Sequence, residues 1–149
     1  MKEIKTIAKA KNFSAADFGK LSDLKDYVLQ LGPDMKIPGK VFGGQTLGAT
    51  GGEFSFQMFQ PGTETGFLHT HKTHEELYFF LSGKGEYVVD GQTFSVQEGS
   101  VVRVAPAGKR AVRNNGSEPL VMLCVQYRAD TMTEADAQDA DILQEPVKW

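Results

Sequence analysis

An all-β sandwich or barrel is the fold class this sequence predicts, and three observations carry that expectation. From about residue 41 the apolar residues follow a period of two, the signature of strands. The apolar runs are short and recur about every ten residues. Turn residues divide them: the chain has 16 glycines, with Asp90-Gly91 and Asn115-Gly116 between apolar runs. Short strands at even spacing with Gly-rich turns between them read as a sandwich or barrel. With 149 residues, the chain has the length of one domain, able to bury roughly 68–70% of its unfolded surface.

Residues 1–40 read as an N-terminal extension, helical in part and otherwise irregular. Ser14-Ala-Ala-Asp17 is spaced like a capping box. Leu24, Tyr27, Val28 and Leu31 follow helical spacing, and Gly32-Pro33 would stop that helix. The barrel region covers about residues 41–128. Within it Glu53–Phe59 alternates, with Phe54, Phe56 and Met58 on one side and Ser55, Gln57 and Phe59 on the other. Leu77–Leu81 is a fully apolar strand. Gly85–Val89 and Gln92–Val96 flank Asp90-Gly91, a strong signal for a two-residue hairpin. Val101–Ala105, Lys109–Arg113 and Leu120–Tyr127 complete the set. Residues 129–149 form an acidic tail with six carboxylates against Lys148, while residues 1–40 hold eight lysines against five acids. Two solvated flanks explain this asymmetry more simply than two binding arms.

Composition excludes several classes. Apolar residues make up 40% and charged residues 23%, the balance of a soluble globular chain. A net charge of −3 leaves no basic footprint for nucleic acid. The one short helix expected before the barrel is too little for a helix-turn-helix. No apolar run approaches the roughly 18 residues of a membrane span. The N-terminal stretch lacks an apolar segment of signal-peptide length, and the single cysteine, Cys124, cannot form an internal disulfide. A reducing, cytoplasmic setting is expected.

All three histidines fall within six residues, His69-Thr-His71-Lys-Thr-His74, followed by Glu75-Glu76. On an extended segment His69 and His71 present their imidazoles to one face. Two imidazoles and a carboxylate form a first-row metal set. An H-x-H in a solvated loop is the competing explanation.

The stretch from Gly62 to Gly83, GTETGFLHTHKTHEELYFFLSG, resembles the first motif of the cupin superfamily. Four residues separate His71 from Glu76 and six separate Glu76 from Gly83, which selects Glu76 over Glu75 as the liganding acid. The second cupin motif is matched by Pro106, Gly108 and Asn115, with Gly99 one residue farther ahead than the motif has it, but its histidine position falls on Ala111. The resemblance spans about residues 53–127. It implies a small single-domain cupin, an all-β double-stranded β-helix or jelly roll, with a divalent metal (Zn, Fe, Mn or Ni) near the barrel mouth. The family's usual set is three His and one Glu. Here His69, His71 and Glu76 match directly, and three arrangements remain open. The three residues could hold the metal alone, His74 could serve as a fourth ligand in place of the absent histidine, or the barrel could bind an organic ligand without metal.

Other side chains bear on the pocket. With Glu76 inward, Tyr78 and Phe80 share its face, and Glu75 faces away toward solvent or a salt bridge. Gln57, Tyr78 and Arg103 are candidate ligand contacts, Arg103 for an anion if it faces inward. Tyr78, Tyr87 and Arg103 are the groups that could serve acid–base chemistry. Cys124 fits a packed apolar role. The apolar outer face of Leu77–Leu81 needs a cover, from the N-terminal segment or from a second copy, and the resemblance favours a homodimer. Two functions follow: a metal-binding cupin acting on or binding a small polar organic molecule, or a metal-independent binding or regulatory cupin. Dioxygenase, isomerase and decarboxylase activities all occur on the fold, which does not choose among them.

Overall fold

The structure is a computed structural model that describes residues 2–149. The described residues form twelve strands, one short α-helix and two 3-10 turns. Two hairpins come first, β1 (Lys5–Ala10) with β2 (Phe13–Asp17) and β3 (Val28–Leu31) with β4 (Met35–Pro38), separated by a 3-10 turn at Leu21–Asp26. The barrel begins with β5 (Lys40–Phe42), α1 (Gly44–Leu47) and β6 (Gly52–Phe59). It continues through β7 (His74–Ser82), β8 (Lys84–Val89), β9 (Gln92–Gln97), β10 (Val101–Val104), β11 (Arg110–Arg113) and β12 (Leu120–Arg128). A second 3-10 turn, Ala135–Gln138, lies in the exposed acidic tail.

The barrel is an all-β jelly roll of two antiparallel sheets. One has the order β10-β7-β12-β6-β5 and the other β11-β8-β9. The chain crosses from sheet to sheet at β7–β8, β9–β10, β10–β11 and β11–β12, which winds the two sheets around one interior. Asp90 and Gly91 both take positive φ (49° and 83°) and join Val89 to its partner Gln92. That is the left-handed pair a two-residue hairpin requires, as the Asp-Gly sequence predicts. The strand register places Ser55, Gln57 and Phe59 of β6 on the inner face with Met122 and Cys124 of β12 and with Glu76, Tyr78 and Phe80 of β7. Inside, Phe59, Tyr78, Phe80, Tyr87, Leu120 and Met122 belong to one packed cluster.

The N-terminal segment corrects the sequence reading. Beyond the single 3-10 turn it is extended rather than helical or irregular. Ser14–Asp17 lies in β2, not at a helix start, and Gly32-Pro33 belongs to the connection that pairs Leu31 with Met35 instead of ending a helix. Leu24 and Tyr27, three residues apart, stack on one face of the tight turn. Tyr27 already has extended backbone angles (φ −85°, ψ 146°), so Val28 and Leu31 leave the helical path and stay exposed. The two buried side chains pack with Met58 and Val121, and with Phe56 and Leu81 beside them, on the outer face of the large sheet. The cover that face requires thus comes in part from the chain's own N-terminal segment. Among the described residues no helix is long and apolar enough to cross a membrane.

Candidate metal centre and cavity

Residues 62–71 run along β11 like an extra strand and position the histidines. Thr65 N–H donates to the Val112 carbonyl (2.9 Å), and His69 and Arg110 exchange backbone bonds of 3.4 and 3.2 Å. His71 N–H donates to the Pro106 carbonyl (2.8 Å). With the backbone extended there, both imidazoles turn to one side, toward Glu76 on β7. Ligand atoms of His69, His71 and Glu76 lie within 4.8 Å of one another, so this group could hold a metal ion.

Glu76 is almost wholly buried, and its two oxygens have different surroundings. Oε2 accepts from the Tyr78 hydroxyl and from Arg110 Nε (3.0 Å) and Nη2 (2.7 Å). Oε1 faces His71 Nε2 at 3.1 Å and receives the Cys124 thiol at 3.5 Å. His69 Nε2 stands 3.8 Å from Oε2, too far for a hydrogen bond. Burial alone would raise the Glu76 carboxyl. The contacts with His69 and Tyr78 and the charge of Arg110 outweigh it and hold the group well below the usual carboxylate range. Burial, reinforced by the Arg110 charge, lowers His71 against the pull of Glu76, which favours the neutral imidazole. Cys124 is pushed up to about 12, first by burial and then by Glu76, so without a metal it stays a thiol.

Arg110 is the residue sequence reasoning missed. It is fully buried, and beyond Glu76 its Nη1 donates to the carbonyls of Pro106 (3.3 Å) and Gly108 (2.7 Å). Its position corrects the motif register by one residue. Arg110, Val112 and Asn114 are buried in alternation, whereas Ala111 and Arg113 are not, so inward residues are the even ones. The buried asparagine is Asn114, not Asn115. It donates to the carbonyls of Phe59 (2.9 Å) and Glu118 (2.8 Å) and accepts from Gly116 N–H. The second-motif histidine position is therefore filled by Arg110 rather than Ala111. The visible signal was the three-residue spacing kept between Arg110 and Asn114.

The remaining candidates divide by strand face. His74 is exposed at the rim and is not part of the converging group, although its ring centroid lies 6.0 Å from that of His71. It shares a face with Glu76 but sits two residues farther out, roughly 6.6 Å along the strand. Arg103 is outward: its side chain is 60% exposed and pairs with Glu75, which also accepts from the Tyr127 hydroxyl (2.6 Å). It therefore does not reach the cavity. Gln57 and Tyr78 do line it, together with Lys40, Tyr87 and Arg110, in a space of about 410 Å³. Among the described residues three buried side-chain polar atoms have no assigned hydrogen-bond partner: His69 Nδ1, His71 Nε2 and the Tyr87 hydroxyl.

Residues 55–126 match the model of the cupin domain family. A cupin protein from Bacteroides fragilis, known from its crystal structure, is 31% identical; the alignment covers 77% of this chain and 94% of that one, with a TM-score of 0.67. An uncharacterized conserved protein with a double-stranded β-helix domain from Klebsiella pneumoniae is 20% identical over 55% of this chain and 71% of that chain, with a TM-score of 0.50, a likeness of fold alone. An uncharacterized protein of Methanocaldococcus jannaschii is 37% identical over 60 residues, 40% of this chain, and the match spans about half (48%) of that protein.

Proposed function

The chain belongs to the cupin family, and from that premise we propose a small cupin that holds a divalent metal on His69, His71 and Glu76 and takes a small polar organic molecule in the adjoining cavity. The observation that carries the reading is the convergence of ligand atoms of His69, His71 and Glu76 within 4.8 Å of one another, with the carboxyl held ionised. Neutral imidazole nitrogens and a carboxylate oxygen are the donors that Zn, Fe, Mn and Ni accept.

The protein's own residues divide the work. Arg110 and Tyr78 hold Glu76 Oε2, fixing the carboxylate and keeping it ionised, while Oε1 stays turned toward His71. Such outer partners orient a ligand and tune it. Because Arg110 stands where the family has its fourth ligand, the protein offers three ligands and leaves room for a bound molecule. When present, the ion supplies Lewis acidity toward a carbonyl or carboxylate oxygen. Tyr78, Phe80 and Met122 pack the interior beside the site.

A second reading has its own observation. Arg110 already gives Glu76 a cation at 2.7 Å, so the pair could replace a metal and leave a metal-independent binding or regulatory barrel. Elemental analysis of untagged protein beside His71→Ala and Glu76→Ala separates the two. One equivalent of metal that disappears in both variants is the expected result. Folded wild type free of Zn, Fe, Mn and Ni would establish the second reading instead.

A homodimer goes with this proposal. The N-terminal segment covers the sheet near Met58, Val121 and Leu81, while Leu77, Phe79, Leu123 and Val125 are only half-buried and Val101 is exposed. A second copy on that strip would give a dimer by sedimentation equilibrium that Val101→Glu weakens. The lone, buried Cys124 supports a cytoplasmic setting.

A further inference from the structure

The interior carries a cation that the metal centre does not use. Lys40, the first residue of β5, turns into the cavity and donates to Ser55 Oγ (3.2 Å) and Gln57 Oε1 (3.1 Å). Both partners are buried and neutral. No carboxylate lies within 4.0 Å of its ammonium among the described residues. An ammonium has three donors, so one remains, with the Phe42 ring centroid 5.2 Å away as a weaker neighbour. Burial lowers the Lys40 pKa, and the more distant charge of Glu76 offsets only part of that.

The charge count of the deep cavity points the same way. Lys25 and Glu64 line it from exposed positions with opposite charges; of Lys40, Arg110 and Glu76 farther in, Arg110 is matched to Glu76 by two hydrogen bonds. Lys40 is the excess. A bound metal would add to the positive charge, not offset it. Opposite, on the smaller sheet, the Tyr87 hydroxyl is fully buried, lines the same cavity and has no partner. Buried polar groups left unpaired are rare, and one lining the same cavity as an ammonium with no anion in contact marks where a ligand's polar atoms go.

We propose that Lys40 is the anchor for an organic carboxylate, whose carboxylate group pairs with the Lys40 ammonium and whose body lies between the sheets beneath Tyr87, with its far end at His71 and Glu76. This rests on reading the cavity as a ligand site, and it names the class of ligand. Lys40 and Glu76 stand on strands three places apart in the large sheet, and the register sets Lys40 level with Phe80, four residues along β7 from Glu76. Both side chains line the one cavity, so a carboxylate with a second oxygen function at its far end can meet both.

The test is calorimetric titration at low chloride with pyruvate, succinate, 2-oxoglutarate and benzoate, each beside its amide. It uses wild type, Lys40→Met and Lys40→Arg, all three assayed for metal content and folding. Expected is saturable binding of at least one carboxylate and none of its amide, a loss of at least tenfold in Lys40→Met, and partial retention in Lys40→Arg. The bound carboxylate should also protect Lys40 from reductive methylation, read by mass spectrometry. Binding of none of the four, equal binding of acid and amide, or affinity unchanged in folded Lys40→Met would overturn the proposal. Metal content separates its fate from that of the metal centre. Lys40-dependent binding to metal-free wild type would sink the metal and keep the anchor, whereas a metal-loaded protein that binds no carboxylate would do the reverse.

Discussion

Removing the guanidinium of Arg110 tests how the interior is held together. In Arg110→Met the stem stays apolar, while Glu76 loses two charge-assisted bonds and the carbonyls of Pro106 and Gly108 lose their donor. Breaking a buried ion pair from one side costs about 3–5 kcal/mol, because the remaining charge is left without compensation. Glu76 borders the cavity, so water can reach part of the vacated space, which favours the lower end, about 3 kcal/mol. For a domain of this size that is a fall in Tm of roughly 6–12 °C at about 2–4 °C per kcal/mol. Urea unfolding followed by tryptophan-independent circular dichroism gives the free energy directly. In the double variant Glu76→Gln/Arg110→Met no orphan charge remains, so its loss should be smaller than the sum of the single losses by at least about 1 kcal/mol. The outer pair offers a control: Arg103→Ala, on an exposed side chain, should leave the midpoint where it is. Wild-type stability in Arg110→Met, or strict additivity in the cycle, would refute the claim that a buried Arg–Glu pair organises the site.

Three further outcomes follow from the same geometry. Arg110→His restores an imidazole at the second-motif position, and its affinity for Zn²⁺ should rise at least about tenfold over wild type, roughly 1.4 kcal/mol by competition with a chromogenic chelator; unchanged affinity would mean that residue 110 does not face the metal. Asn114→Ala removes the side chain that ties Phe59, Glu118 and Gly116 together and should cost about 2–4 kcal/mol in urea unfolding, whereas Asn115→Ala, at an exposed position, should be neutral; equal effects would restore the other register. Leu24→Ala opens a gap in the cover over Met58 and Val121 and should cost about 2–5 kcal/mol, visible as faster hydrogen exchange at Leu24–Tyr27 with the interior of the barrel still protected. Uniform exchange across both regions would show that cover and barrel open as one unit.

Most barrel strands were legible because their apolar residues alternate, or run unbroken as in Leu77–Leu81, between Gly-rich turns, and because Asp90-Gly91 has one common structural meaning; β5, three residues long, was not. The face assignment of β7 was legible for the same reason: with Glu76 inward, Tyr78 and Phe80 had to follow it, and they do. The N-terminal segment was not. Leu24, Tyr27, Val28 and Leu31 satisfy a helical period, but a hairpin partner at Met35–Pro38 competes for the same residues, and the sequence does not weigh that pairing. His69, His71 and Glu76 were legible as a group, while Arg110 was hidden by counting from Gly108 instead of following the alternation to Asn114. Lys40 was hidden for a different reason. A lysine opening a short strand reads as solvated, and only the pairing of Lys40 with Gln57 shows which way it turns.

The sequence by itself determined what depends on neighbours along the chain: strand periodicity, the hairpin, the family motif and the identity of the three converging donors. Tertiary structure alone decided what depends on faces and distances between strands. It put Arg103 outside and Arg110 inside, left His74 at the rim and turned Lys40 into the cavity. A strand's period says which residues share a side, but which side is inner is settled only when two sheets close on each other and their buried charges must find partners.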